Sequence, residues 1–216
     1  MFDMKNTGFA VHTGWVASDD GVLVLDANAN GQVDNAAELF GAPDGAQGFA
    51  ALAEFDANQD GVIDAGDAIY AQLQVWRDLD GNAKVDEGEL SSLADLDIAS
   101  ITVAATPQTD TMIAGNQVTA TGSFTRGDNS TGAIADVVFT VDPFHTRYLG
   151  DSSVSEAAAA RANLKGYGTL TDLHVAMTLD PDLIDVVDAN LPNLDVLDLA
   201  ALPARASSIA SLPICS

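Results

Sequence analysis

The chain has 216 residues, 47% of them apolar, and a formal charge of −24 from 32 acidic against 8 basic side chains. That length allows one large domain or a domain with an appendage, and the apolar share suffices for a buried core. The charge repels nucleic acid and anionic membranes, so the chain is expected to bind neither. The acid is lopsided, 27 Asp against 5 Glu. Solvated helices favour Glu over Asp, so the excess points to loops and to oxygen ligands for cations. The acids outside three loop frames, at 26–38, 56–67 and 78–89, read as a solvated acidic surface.

In chain order, the first residues, MFDMKNTGFAVHTGWVAS, have neither a basic start nor an apolar run, so no cleaved secretory signal is expected in them. Asp3–Gly8 is an ordinary turn with a single acid. Residues 9–25 alternate apolar and polar around Gly14 and Gly21 and are expected to form a short hairpin. The first acidic loop comes next, at 26–38. Residues 47–55 carry Phe49, Leu52 and Phe55 at helical spacing and lead into a second loop, 56–67. Residues 68–77 place Ile69, Leu73 and Trp76 on one helical face and lead into a third loop, 78–89. Residues 89–95 are expected to form a short exit helix. These elements predict an EF-hand-like pair over about 47–95, with Ile63 and Val85 joined in a small ladder.

Beyond that pair the composition turns to Thr, Val, Ile and Phe. Residues 99–105, 116–126 and 132–141 read as strands. Gly127-Asp128-Asn129-Ser130 reads as the hairpin turn between the last two, which also accounts for Arg126-Gly127-Asp128 without an adhesion role. Residues 149–162 read as a linker or weak helix. From Tyr167 on, two short helices broken at Asp180-Pro181 are expected. The tail 191–216 has Leu-rich runs cut by Pro192, Pro203 and Pro213, and it holds Cys215, the one cysteine. No internal disulfide and no thiolate metal cluster can form. No stretch reaches the roughly 18 apolar residues of a membrane span. The fold expected is α+β: EF-hand-like paired calcium loops with short helices, a small antiparallel β-region at about 98–141, and a helical C-terminal tail. The domains expected are 1–148 and 149–216.

The loops carry the chemistry. Loop 56–67 has the frame D-x-N-x-D-G-x-I-D-x-x-D, with Asp56, Asn58, Asp60, Asp64 and Asp67 as oxygen donors. Gly61 makes the sharp turn, the Val62 carbonyl stands seventh, and Ile63 points to a core. Alternating oxygens of this kind curl around a hard cation such as calcium. Loop 78–89 offers Asp78, Asp80, Asn82, the Lys84 carbonyl, Asp86 and Glu89, with Val85 eighth. Ala83 replaces the sixth-place glycine, and Ala tolerates positive φ poorly. Loop 26–38 offers Asp26, Asn28, Asn30, the Gln32 carbonyl and Asp34. Its twelfth residue is Ala37, and Glu38 is one place late, able to reach in only if the exit is not a regular helix. The order of merit is 56–67, then 78–89, then 26–38. Binding of Ca2+ is expected to be coupled to folding, because it relieves repulsion among the acids.

The runs TGWVASDDGVLVLDANANGQVDNAAELFG and GFAALAEFDANQDGVIDAGDAIYAQLQVWRDLDGNAKVDEGEL, with a Thr-rich hairpin after them, resemble the haemolysin-type calcium-binding related region of large repeat-in-toxin (RTX) proteins. The resemblance covers about residues 1–148 and includes the self-processing module of iron-regulated members. LKGYGTLTDLHVAMTLDPDL is similar to the segment immediately C-terminal to that region in large secreted members. The resemblance implies type I export, an extracellular setting, calcium-driven folding, and the remainder of a larger RTX-like polypeptide as partner. Its cellular target is not encoded in these residues. In the self-processing subset an Asp carboxylate attacks its own carbonyl at an Asp-Pro bond upstream of the module. The sequence has no such bond there; Asp142-Pro143 and Asp180-Pro181 lie elsewhere, so a non-catalytic module is expected and autocatalytic processing is the alternative. G-G-x-G-x-D repeats are absent. A dockerin-like protein-binding module is a second alternative, since loop starts 22 residues apart suit it. Ala65-Gly66 and Glu87-Gly88 stand where dockerins carry hydroxyl residues, which disfavours it. His12, His145 and His174 lack the spacing of a hydrolase or metal site.

Overall fold

The computed structural model describes residues 1–40 and 47–190. The tail 191–216, with its proline-cut Leu runs and Cys215, lies outside the described residues. In chain order the elements are β1 (Phe9–Thr13), β2 (Val22–Leu25), a short 3-10 helix (Ala36–Glu38), α1 (Gly48–Ala53), β3 (Val62–Asp64), β4 (Leu73–Trp76), β5 (Leu90–Ser92), β6 (Ile98–Thr102), β7 (Thr106–Ile113), β8 (Asn116–Arg126), β9 (Thr131–Val138), β10 (Val141–Tyr148), α2 (Glu156–Ala159), α3 (Leu173–Leu179) and α4 (Asp182–Asn190). The chain divides into two compact units: Met1–Asn6 with His12–Asp142, and Thr7–Val11 with the chain from Pro143 on.

The first unit is built on β-sheet. β8 is its longest strand, rich in the β-branched and aromatic residues that suit a pleated surface. β9 pairs along one edge of β8, from Gln117↔Val138 to Thr125↔Thr131. The other edge is shared end to end by β7, up to Thr106↔Thr121, and β6, from Ile101↔Phe124. β3 adds to β6 by pairing Ile63 with Ile101. A separate three-stranded sheet has the order β2-β4-β5. The core joins Leu52 of α1, Ile63, Ile69, Leu73, Leu93, Ile98 and Ile101. Each such side chain, fully buried, contributes about 1.5–3 kcal/mol. α1 is seated by a close approach: a Cβ at Gly122 of β8 would lie 2.6 Å from the Phe49 ring.

These elements correct the α+β expectation, because the fold is mostly β and no EF-hand-like helix–loop–helix pair is formed. Loop 56–67 is entered from the six-residue α1 and leaves through turns into β4, not through a helix over 68–77. Loop 78–89 is entered from β4 and leaves into β5, not into a helix over 89–95. Ile63 pairs with β6 rather than with Val85. Residues 9–25 form no hairpin: β1 pairs with β10 and β2 with β4. The reason is visible at Ile69, Leu73 and Trp76. All three are buried, as helical spacing demands, but a turn leading into a strand satisfies the same spacing. Leu-Gln-Val-Trp then finds backbone partners on both sides, in Val22–Leu25 and in Leu90–Ser92.

The expected hairpin turn at 127–130 is present: Arg126 N–H donates to the Ser130 carbonyl, Asn129 N–H to the Arg126 carbonyl, and Asn129 takes φ 66°. In the second unit, α2, α3 and α4 gather Ala158, Ala176, Met177, Leu183 and Val187. α3 and α4 are the two short helices expected on either side of Asp180-Pro181.

Candidate metal centre

The three loops share one hydrogen-bond pattern. The first-place acid accepts the amides of the fifth and sixth residues: Asp26 from Asn30 and Gly31, Asp56 from Asp60 and Gly61, Asp78 from Asn82 and Ala83. The third-place side chain accepts from the fifth amide, in Asn28, Asn58 and Asp80. The fifth-place side chain accepts from the seventh amide: Asn30 from Gln32, Asp60 from Val62, Asn82 from Lys84. This winding turns the side-chain oxygens inward and needs positive φ at the fourth and sixth places. Ala29 and Gly31 take 56° and 75°, Gln59 and Gly61 60° and 89°, Gly81 and Ala83 74° and 57°. Each loop has glycine at one of the two places. The sixth-place alanine of loop 78–89 is thus matched by a glycine two residues earlier.

Each loop is closed by an acid. Asp67 accepts the Asp64 and Ala57 amides, and Glu89 the Asp86 and Leu79 amides. Glu38 accepts the Asp34 amide at 2.7 Å. The 3-10 helix at Ala36–Glu38 lets it do so from one place late. Glu38, Asp67, Glu89 and Asp78 are buried, at 4, 3, 3 and 2% exposure. Among the described residues none of them is ion-paired to a Lys or Arg. Their only compensation is N–H donors, and an unneutralised buried carboxylate is costly.

Loop 78–89 concentrates its acids most. One oxygen each of Asp78, Asp80 and Glu89 lie within 4.8 Å of one another, the one such trio among the described residues. Loop 56–67, placed first by sequence, has Asn58 where loop 78–89 has Asp80, so its carboxylates do not gather in the same way. Asp86, across the loop, is tied to the trio through the Asn82 amide, which donates to both Asp80 and Asp86. In the same manner Asn28 and Asn30 both donate to Asp34, and Asn58 donates to Asp60. Asp64 instead accepts the Gly66 amide at 2.7 Å. Sequence reasoning missed two donors to these acids. The Trp15 indole donates to Asp78 at 2.6 Å and the Trp76 indole to Glu89 at 3.3 Å. Trp15 lies 63 residues from Asp78, beyond the reach of any spacing pattern.

Residues 1–140 match the SPM domain. The chain belongs to the SPM domain family. It is also 39% identical over 196 residues to the iron-regulated protein FrpA of Neisseria meningitidis serogroup C, across 88% of this chain and 18% of FrpA. The chain therefore spans less than a fifth of the length of that relative and is related to a module of it. Of the Asp-Pro bonds, Asp142-Pro143 lies in β10 and Asp180-Pro181 between α3 and α4. An Asp180 side-chain oxygen accepts the Asp182 amide. No described helix is long and apolar enough to cross a membrane.

Proposed function

We propose that this chain is a calcium-binding module that folds on the ion, within a larger secreted protein of the RTX kind. Its sites are the loops 26–38, 56–67 and 78–89, and the module spans 1–148. The observation that carries this is the set of closing carboxylates, buried in three loops of one pattern and, among the described residues, not ion-paired to any Lys or Arg. A hard divalent ion is the partner that such an all-oxygen arrangement suits. Export and an extracellular setting rest on the sequence resemblance. Extracellular calcium modules bind with Kd of about 10⁻⁴–10⁻³ M. At free calcium about 100-fold above Kd, each filled site adds about 2.7 kcal/mol of stability.

The test is calorimetric titration with calcium and with magnesium, together with melting in chelator and in millimolar calcium. Saturable calcium binding and a raised melting temperature are expected, with a smaller response to magnesium, which demands a tighter octahedral shell. An unchanged melting temperature would sink the proposal. Self-cleavage is not part of it, since neither Asp-Pro bond adjoins a loop. The intact mass should stay unchanged over a day in millimolar calcium at neutral pH.

A further inference from the structure

The chain has two tryptophans, and both indoles donate to the acids that open and close one loop. Trp15 reaches Asp78 and Trp76 reaches Glu89. Trp76 and both acids are buried. The two rings meet edge to face at 5.4 Å, Phe2 packs on both at 5.3 and 6.0 Å, and Phe139 stacks on Trp15 at 5.5 Å. Trp15 is itself held by the sheet. The side-chain amide of buried Asn116, at the start of β8, donates to the Trp15 carbonyl, and its oxygen accepts the Thr140 amide. Gly14 admits Asn116 there, for a Cβ would sit 2.0 Å from its oxygen. Among the described residues, no side chain outside the loop donates in this way to Asp26, Glu38, Asp56 or Asp67.

We propose that Trp15 and Trp76 are positioning residues for loop 78–89, fixing the Asp78 and Glu89 carboxylates from behind and tying occupation of that loop to the aromatic cluster of Phe2 and Phe139. The physical basis is general. A donor on the far oxygen of a ligating carboxylate orients it, and loss of such a support typically weakens metal affinity 10- to 100-fold. An indole N–H donating to a carboxylate is directional, and the Trp15–Asp78 bond at 2.6 Å is much the shorter of the two. Neither tryptophan touches the ion; each acts through a carboxylate. This deepens the calcium assignment and rests on calcium binding by that loop.

The experiment uses the full chain labelled with ¹⁵N in tryptophan, titrated with calcium while calorimetry is run in parallel. Both indole N–H resonances are expected to shift in one common step. Asp80→Ala, an exposed change that touches neither indole, should abolish that step, whereas Asp60→Ala should leave it. Trp15→Phe should weaken the same step about 10- to 100-fold while sparing the others, and the Trp76 resonance should still report it. Indole resonances that stay fixed while calorimetry records bound calcium would overturn the positioning role alone. Unchanged affinity of that step in Trp15→Phe would do the same. No calcium heat from the unmodified chain would overturn the positioning role and the calcium assignment together. The shift in the unmodified chain decides the matter even if Trp15→Phe fails to fold.

Discussion

Loops 56–67 and 78–89 wind the same way but are held by different parts of themselves. Loop 56–67 is anchored at its middle: Ile63 is fully buried and its strand pairs with β6. Its opening acid, Asp56, is half-buried and accepts two backbone amides. Loop 78–89 is anchored at its ends. Asp78 and Glu89 are buried against indoles, while Val85 is only half-buried and joins no strand. One twelve-residue frame can thus be fixed through an apolar eighth residue or through its terminal carboxylates. The frame sets where oxygens converge; the neighbours decide which residue the fold depends on.

The largest effect should come from Asp78→Ala. Asp78 accepts the amides of Gly81, Asn82 and Ala83 and the Trp15 indole. Removing it leaves the buried Ala83 amide and the half-buried Trp15 indole without their acceptor, while the exposed Gly81 and Asn82 amides can turn to water, at a cost of about 3–5 kcal/mol. Asp56→Ala should cost about 1–2 kcal/mol, because its two amides can turn to water. Asp26→Ala should cost least, since all the loop residues it holds are exposed. Urea unfolding in chelator ranks the three, and repeating it in calcium adds the loss of an ion. Equal losses in Asp78→Ala and Asp56→Ala would erase the contrast drawn between the loops.

The second comparison inverts the first. Ile63→Ala should cost about 2–4 kcal/mol, as buried large-to-small changes do, whereas Val85→Ala should cost less than about 1 kcal/mol. If Val85→Ala proves the more damaging, loop 78–89 is held through its middle after all.

Much of the loop winding could be read in advance, because it is local. Alternating Asp and Asn with glycine near the turn sets the winding with no help from elsewhere. The hairpin turn at 127–130 and the break at Asp180-Pro181 were legible for the same reason. The surroundings of the loops were not. Leu73 and Trp76 satisfy helical spacing, and only a β2 strand about 50 residues away makes a strand of them. The same holds for Trp15 and Asn116, whose roles depend on pairings across the whole first unit. The 3-10 exit at Ala36–Glu38 shows the middle case: Glu38 stood one place late, and the backbone adjusts locally to bring it home.

Smaller effects are expected at the two positive-φ places. Gly81 takes φ 74°, and a Cβ added there would meet nothing within 4 Å, so Gly81→Ala should cost about 1 kcal/mol through backbone strain alone. Ala29, exposed at φ 56°, should respond oppositely, with Ala29→Gly gaining up to about 1 kcal/mol from relieved strain, partly offset by the wider freedom of glycine in the unfolded chain. Thermal melts of both variants check the opposite signs. A loss in Ala29→Gly as large as that in Gly81→Ala would mean the fourth place does not need positive φ in loop 26–38.

The smallest effect belongs to the second unit, which handles acid in the opposite way from the loops. There Asp172 and Asp188 have cationic neighbours. Asp172 accepts the Gly166 amide at 2.8 Å and the Lys165 ammonium at 3.2 Å. Asp188 takes both Nε and Nη2 of Arg161. The Gly166 amide, then Lys165, hold the Asp172 carboxyl below the usual carboxylate range, and Arg161 does the same for Asp188. A carboxyl lowered by folding stabilises the fold above its unfolded pKa, near 3.9 for Asp. That stabilisation is lost as pH falls through the folded value. The second unit should therefore lose these two contributions only below about pH 4, and Asp172 should contribute less than about 0.5 kcal/mol because solvent screens it. Side-chain carboxyl ¹³C titration is the direct check: both groups should titrate below an unstructured Asp. Asp172→Asn should flatten the pH dependence of that unit's unfolding below about pH 4 and leave the calcium response of the loops unaltered. A normal titration of Asp172 would remove the contrast between acids balanced by cationic side chains and acids held by N–H donors alone.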